Sequence, residues 1–207
     1  MTESLLFSMP GTGIVAELAR EQIARGLAVQ VHPLGFAFVD LPIDREIATR
    51  LHVWIPSRFR SNSPTTIHNH YFASQLTVLV GEMFERRFIV QPDREDKALH
   101  RIAQVESDEL NVATTLVPTT HLVQLTGGAQ CRHACGAQYV VPAGTFHSAS
   151  PGSDPCVTLF QHRRYSERRP SEAVLDVSLT ERFKCPYRVG DREVVLRAIN
   201  LIEERTQ

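Results

Sequence analysis

No apolar run in the sequence approaches the roughly 20 residues that a bilayer-spanning helix needs. The opening stretch MTESLLFSMPGTG also lacks the basic and long apolar segments of a secretory signal. Both absences lead to the expectation of a cytoplasmic protein with no membrane partner. An excess of charge of one sign is missing too, since 22 Lys and Arg oppose 23 Asp and Glu and leave a net charge of −1. Such a chain has no global field with which to attract a polyanion, and no basic helix pair, so nucleic acid is not an expected partner. Cysteine is scarce. Cys131, Cys135, Cys156 and Cys185 in 207 residues do not make a disulfide framework, and reduced thiols are expected. There is no internal repeat, low-complexity tract or interdomain linker.

What is present suits one globular domain: 43% hydrophobic and 22% charged residues give an ordinary core-forming chain. GIVAELAREQIARGLAV (13–29) sets Ile14, Val15, Leu18, Ile23 and Leu27 near helical spacing, with Gly26 as a stop. A short second helix is expected over DREIATRL (44–51), with Asp44 capping its first turn. From residue 51 the texture changes to short runs of Val, Ile, Leu, Phe and Thr broken by Pro, Gly, Ser and Asp. Examples are LHVWI, QLTVLVGEMFERRFIVQ, THLVQLTG, AQYVVPAG and CVTLFQHRRY. Repeated short strands predict an all-β barrel or sandwich. QPDREDKALHRIAQVESDELN (91–111) reads as an exposed excursion. In the tail, Val194, Val195, Ala198, Leu201 and Ile202 share one helical face, which predicts a helix over a barrel end or edge. The expected division is 1–50 as a helical extension packed on the barrel, 51–170 as the barrel, and 171–207 as a C-terminal segment with a terminal helix.

Two stretches carry candidate chemistry. In TIHNHYFASQL, His68 and His70 are two residues apart, so on a strand their rings point to one face. That pair alone fits two exposed strand histidines as well as it fits metal ligands. Gly136 to His147, GAQYVVPAGTFH, reads G-x5-P-x-G-x2-H, in which Pro142 fixes a backbone angle and Gly144 permits a tight turn that delivers His147 from the next strand. This second pattern matches the second motif of the cupin superfamily at every fixed position up to His147, and the chain resembles that superfamily over about residues 51–165. The first motif, G-x5-H-x-H-x3,4-E-x6-G, is matched in part. His68 and His70 fit, Asn62 replaces the leading Gly, Gln75 stands for the Glu, and Gly81 comes one residue early.

The resemblance implies a cupin-type β-barrel (double-stranded β-helix or jelly roll) with helices at both ends, and a metal held by His68, His70 and His147. Around those histidines the chain is similar to thiol dioxygenases. However, the Ser-x-His-x-Tyr run of that group falls on Thr158, Phe160 and His162, so its His and Tyr are replaced. By resemblance Fe(II) is the expected metal, while Zn, Mn or Ni also suit imidazole. The expected activity is a mononuclear non-heme dioxygenase acting with O2 on a small anionic molecule. A metal-dependent lyase, isomerase or epimerase, or a non-catalytic ligand-binding cupin, are the other readings.

Replacing Glu by Gln leaves a divalent site near +2 and favours an anionic chelating substrate. Gln75 is then either a weak ligand or a hydrogen-bond donor to bound substrate, and His162 an acid/base or substrate-binding group. Arg58, Arg60 and Arg163 are candidates for a carboxylate fork, with Tyr71 as pocket wall. CRHAC (131–135) lacks the second Cys/His pair of a zinc knuckle and reads as a loop. His32, His52, His100 and His121 have no spacing partner and are taken as structural or surface residues. A homodimer is expected, as it is for many cupins.

Overall fold

The computed structural model describes residues 7–93, 98–107, 113–165 and 170–204. Helix α1 (Thr12–Ala24) buries Val15, Ala16, Ala19 and Ile23. It ends at the expected stop, where Gly26 adopts φ +86° and turns the chain out of the helix. Among the described residues thirteen strands follow: β1 (Gln30–His32), β2 (Phe36–Leu41), β3 (Ile47–Trp54), β4 (Ser74–Val80), β5 (Glu82–Pro92), β6 (His100–Ser107), β7 (Ala113–Ala134), β8 (Gln138–Val141), β9 (Phe146–Pro151), β10 (Cys156–Arg163), β11 (Ser171–Asp176), β12 (Phe183–Pro186) and β13 (Arg188–Val189). Helix α2 (Arg192–Glu204) closes the described chain, its start capped by the Asp191 carboxylate, which accepts from the amides of Glu193 and Val194.

The strands form two antiparallel sheets, one ordered β13-β1-β2-β3-β10-β4-β8 and the other β11-β6-β7-β5-β9, with β12 added along β7. Alternation along the larger sheet separates its faces. Leu51, Val53, Leu79 and Leu159 point outward into one cluster with Val15 and Ile23 of α1 and Val195, Ile199 and Ile202 of α2. Phe36, Phe38, Trp54 and Val78 point inward, where they meet Met83 of the other sheet. This is the all-β, cupin-type barrel with helices at both termini.

Four expectations need correction. The Asp44 carboxylate does accept from the amides of Glu46 and Ile47, but the turn it stabilises feeds β3, not a helix. The β-branched Ile47, Thr49 and Val53 pair along β2 and β10, and that pairing outweighs local helical spacing. The barrel therefore begins before residue 51: β1 and β2 are strands of the larger sheet, and β11 to β13 extend both sheets beyond residue 170. Within the supposed excursion 91–111, residues 100–107 are β6, which lies between β11 and β7 with Ile102 and Ala103 buried. Residues 94–97 and 108–111 of that stretch lie outside the described residues. CRHAC runs up to the turn as the end of the long strand β7, paired with β5, and only its last residue, Cys135, lies past the strand.

One short segment positions the site. His68 forms an antiparallel bridge to His147 of β9 on one side and to Ala173 of β11 on the other. These are the two edges of the smaller sheet, so residues 67–69 close it into a ring. Leu159 is wholly buried on the outer face of β10 under the helices. Truncating it as Leu159→Ala removes packing that cannot collapse fully and is expected to destabilise the protein by about 2–5 kcal/mol, read by denaturant unfolding. A loss below about 1 kcal/mol would contradict this packing.

Candidate metal centre

His68 and His147 lie directly opposite one another. Each amide donates to the other's carbonyl, at 3.0 Å from His68 and 2.8 Å from His147. Directly paired residues of an antiparallel ladder share a face, so the two rings emerge together. His70 is set by the second motif, since the Gly144 amide donates to the His70 carbonyl at 2.8 Å. Gly144 reaches that position with φ +74°, a conformation that suits glycine. Ring centroids are 4.8 Å apart for His68 and His70, 4.6 Å for His68 and His147, and 5.4 Å for His70 and His147.

The ligand atoms of the three residues all lie within 4.8 Å of one another. An equilateral triangle of that edge has its centre about 2.8 Å from each corner, so an adjustment of about 0.7 Å per ring gives metal–nitrogen bonds near 2.1 Å. Tautomers fit as well. Nδ1 of His68 donates to the Thr66 carbonyl and Nδ1 of His147 to the Thr145 carbonyl, both at 3.1 Å, which leaves each Nε2 lone pair free. Burial, followed by repulsion from His147, pushes the His68 pKa down to about 3. Burial and the neighbouring histidines hold His70 well below its ordinary value, and burial lowers His147. All three rings are therefore neutral at pH 7, the state a cation requires.

Support comes from a residue the sequence reading passed over. Asn69, between the two ligands and 6% exposed, donates its amide to the Glu172 carboxylate at 2.9 Å and accepts from the Glu172 backbone N–H at 2.7 Å. An Asn between two strand histidines must face away from them, which was the available signal. Losing this lock in Asn69→Ala is expected to weaken metal affinity about tenfold. Competitive titration with a metal chelator measures it, and unchanged affinity would show that the lock is irrelevant to the site.

Gln75 does not join the centre. Its side chain, 1% exposed, accepts from the Phe7 amide at 2.9 Å and donates to the Phe7 carbonyl at 3.2 Å. Strand parity explains this, because Leu76 and Val78 pack inward and put Gln75 on the opposite face with Leu79. Ser74 has the inward parity. With three residues in the motif's variable gap, Ser74 occupies the acidic position and Gly81, at φ +76°, falls at the expected spacing. No carboxylate joins the three histidines among the described residues.

His162 faces inward from β10 but stands behind Phe72. The His162 ring stacks on Phe72 at 3.9 Å, and Phe72 stacks in turn on His70 at 5.0 Å. Burial lowers the His162 pKa. Tyr71 packs edge-on between Phe72 and Tyr165. The three arginines do not converge. Arg58 lines an outer cleft of about 280 Å³ with Asp154 and Arg197 of α2. Arg60 is exposed and its carbonyl accepts from Arg188, while Arg163 is exposed at the end of β10 with parity opposite to His162.

His32 and His52, set aside in the sequence, line the barrel. His52 is stacked on Phe160 at 5.1 Å and lies against Phe36, and His32 is stacked on Phe36 at 4.6 Å. The alternation of HVW with its inward neighbours was the missed signal. Burial, then the charges of His68 and Arg50, lowers the His32 pKa to about 3. Unfolded, these histidines would bind protons below about pH 6.5, whereas folded they resist protonation to far lower pH. The unfolded state thus gains protons as pH falls, and metal-free protein is expected to lose stability progressively between pH 7 and 5. Melting temperatures check this, and a flat profile across that window would contradict it.

No protein-family model matches the chain, and no curated protein matches it in sequence. Solved structures with a similar course of the chain include KdgF from Halomonas sp., at 15% identity and TM-score 0.35 over 66% of this chain and 84% of that one. DMSP lyase DddQ from Ruegeria pomeroyi DSS-3 is similar at 12% identity and TM-score 0.41, over 81% and 71%. Hydroquinone 1,2-dioxygenase from Sphingomonas sp. TTNP3 is similar at 11% identity and TM-score 0.35, over 62% and 66%. This chain's own features are a barrel of two antiparallel sheets and, within it, a group of three histidines that could hold one metal ion.

Proposed function

We propose that the protein is a metal-dependent cupin enzyme, and specifically a mononuclear non-heme Fe(II) dioxygenase acting on a small anionic molecule that chelates the metal. The observation that supports it most is the pair of Nδ1 hydrogen bonds on His68 and His147. They direct two Nε2 lone pairs, with His70, toward one point, and among the described residues no carboxylate joins the three-histidine group. Three neutral nitrogens, from His68, His70 and His147, would hold a metal ion without filling its ligand positions, which would leave room for substrate and O2. A bound Fe(II) would supply a +2 Lewis-acidic, redox-active centre at which both reactants meet.

The chain's own groups do the rest. The bridges of His68 and the Gly144 contact to His70 fix the donors before anything binds, so little reorganisation is needed. Phe72, Phe160 and Leu76 form an apolar wall beside His70 that keeps water from that side. With no anionic ligand among the described residues, an anionic substrate balances the cation's charge. The same three nitrogens also suit Zn, Mn or Ni, with which lyase, isomerase or epimerase chemistry would need no O2. We propose small-molecule substrate and O2 as the partners, in a cytoplasmic protein that forms a homodimer.

Loading with Fe(II) is expected to give O2 consumption in the presence of the right anion, measured with an oxygen electrode. His147→Ala is expected to lose both bound metal, by elemental analysis, and turnover. Turnover that persists without O2 would move the protein to the second activity, and turnover that survives His147→Ala would refute the metal centre.

A further inference from the structure

The larger sheet carries an inward-facing cation that the motifs do not mark. Arg50 pairs across the sheet with Phe160 of β10 and Asp40 of β2. Phe160 packs inward and lies 6.0 Å, centroid to centroid, from the His70 ring, so Arg50 shares the face that looks onto the three histidines. Its guanidinium carbon sits 4.9 Å from the centre of the Phe38 ring, an attraction that holds the planar group in place. Among the described residues its only hydrogen bond runs from Nε to the Asp40 carboxylate at 2.7 Å, so the two Nη groups remain available.

The side chain is 39% exposed and Asp40 is 68% exposed, so this ion pair sits in solvent and holds the arginine weakly. After burial, the Arg50 charge is among the causes that lower the pKa values of His32, His52 and His162, which places it within electrostatic reach of three barrel histidines. His32 in turn is within such reach of His68.

We propose that Arg50 binds the far end of the substrate, so that the site selects a small molecule with two anionic ends, one for the three-histidine centre and one for this guanidinium. The inference rests on the metal reading above for its first end only. Asp40 acts as the stand-in anion: it orients the empty guanidinium through Nε, and a ligand carboxylate engages the Nη pair as a fork. A ligand with one anionic end gains nothing from Arg50, whereas a dianion of the right length gains a charge-assisted contact.

The test uses the full chain loaded anaerobically with Fe(II) and calorimetric titration with 2-hydroxy acids that share one chelating head. Lactate has no second anion, whereas malate, 2-hydroxyglutarate and 2-hydroxyadipate place one at increasing distance. One member of the dianion series is expected to bind at least about tenfold more tightly than lactate. In Arg50→Gln that preference is expected to vanish while lactate binding and iron content stay unchanged. Arg50→Lys, which keeps the charge and the stem, should retain part of the preference and guards against a fold defect. Asp40→Asn, which keeps an oxygen to accept from Nε and removes the like charge beside the incoming carboxylate, should strengthen dianion binding about threefold.

The proposal is overturned if no dianion outbinds lactate, if no member of the series binds at all, or if the preference survives Arg50→Gln. Failure of the metal reading looks different: protein that takes up no iron, with a dianion preference that still depends on Arg50.

Discussion

The site depends on one backbone arrangement, the double bridging of His68. A sheet of strands β11, β6, β7, β5 and β9 has two edges whose amides and carbonyls would otherwise face water or one another loosely. Residues 67–69 fill that gap: the His68 amide bonds to β9, and the Asn69 amide and the Ile67 carbonyl bond to β11, at 2.8 and 2.9 Å. The same peptide units that close the barrel carry one candidate ligand, His68, with His70 the next residue after them, and the third, His147, is the residue opposite His68. Ring geometry is therefore inherited from the ladder instead of from a free loop, and a change that disturbed the closure would disturb the centre.

This inheritance has an electrostatic consequence. Rings held by their backbones inside a barrel lose water, and burial is the largest cause lowering each of their pKa values. Three neutral imidazoles 4.6 to 5.4 Å apart can coexist, whereas three imidazolium ions could not. A bound cation would relieve the crowding of lone pairs, and among the described residues no carboxylate joins the group.

Much of this was legible in the sequence because the informative residues are backbone-special. Pro142 and Gly144 are needed wherever a turn must deliver a histidine, and Gly144 also reaches across to the His70 carbonyl, which ties the two motifs together. Less legible was anything that depends on partners distant in sequence. DREIATRL has helical spacing, yet Thr49 and Leu51 lie against Gln161 and Leu159, more than a hundred residues on, and that pairing makes the segment a strand. The charged look of residues 100–107 hid Ile102 and Ala103, which are buried only because β11 and β7 flank them. Gln75 was misplaced by one residue in a gap of variable length. In a strand, one residue is the difference between facing the histidines and facing Phe7.

The His70, Phe72 and His162 stack shows how side-chain identity, once placed, limits chemistry. At 3.9 Å the His162 ring covers the far face of Phe72, and His70 covers the near face at 5.0 Å. His162 is thus two ring spacings from the nearest candidate ligand, with an apolar ring between. Its Nδ1 lies 2.6 Å from the Arg163 carbonyl, directed along the strand and not toward the centre. A hydrogen bond spans about 3 Å, so direct proton exchange with a group held at the three histidines is out of its reach in this arrangement. What His162 does from there is fix Phe72, and Phe72 in turn limits the tilt of His70. The inward position at which an acid/base group would act falls instead on Phe160, which sends the search for polar groups sideways along the sheet to His52 and Arg50.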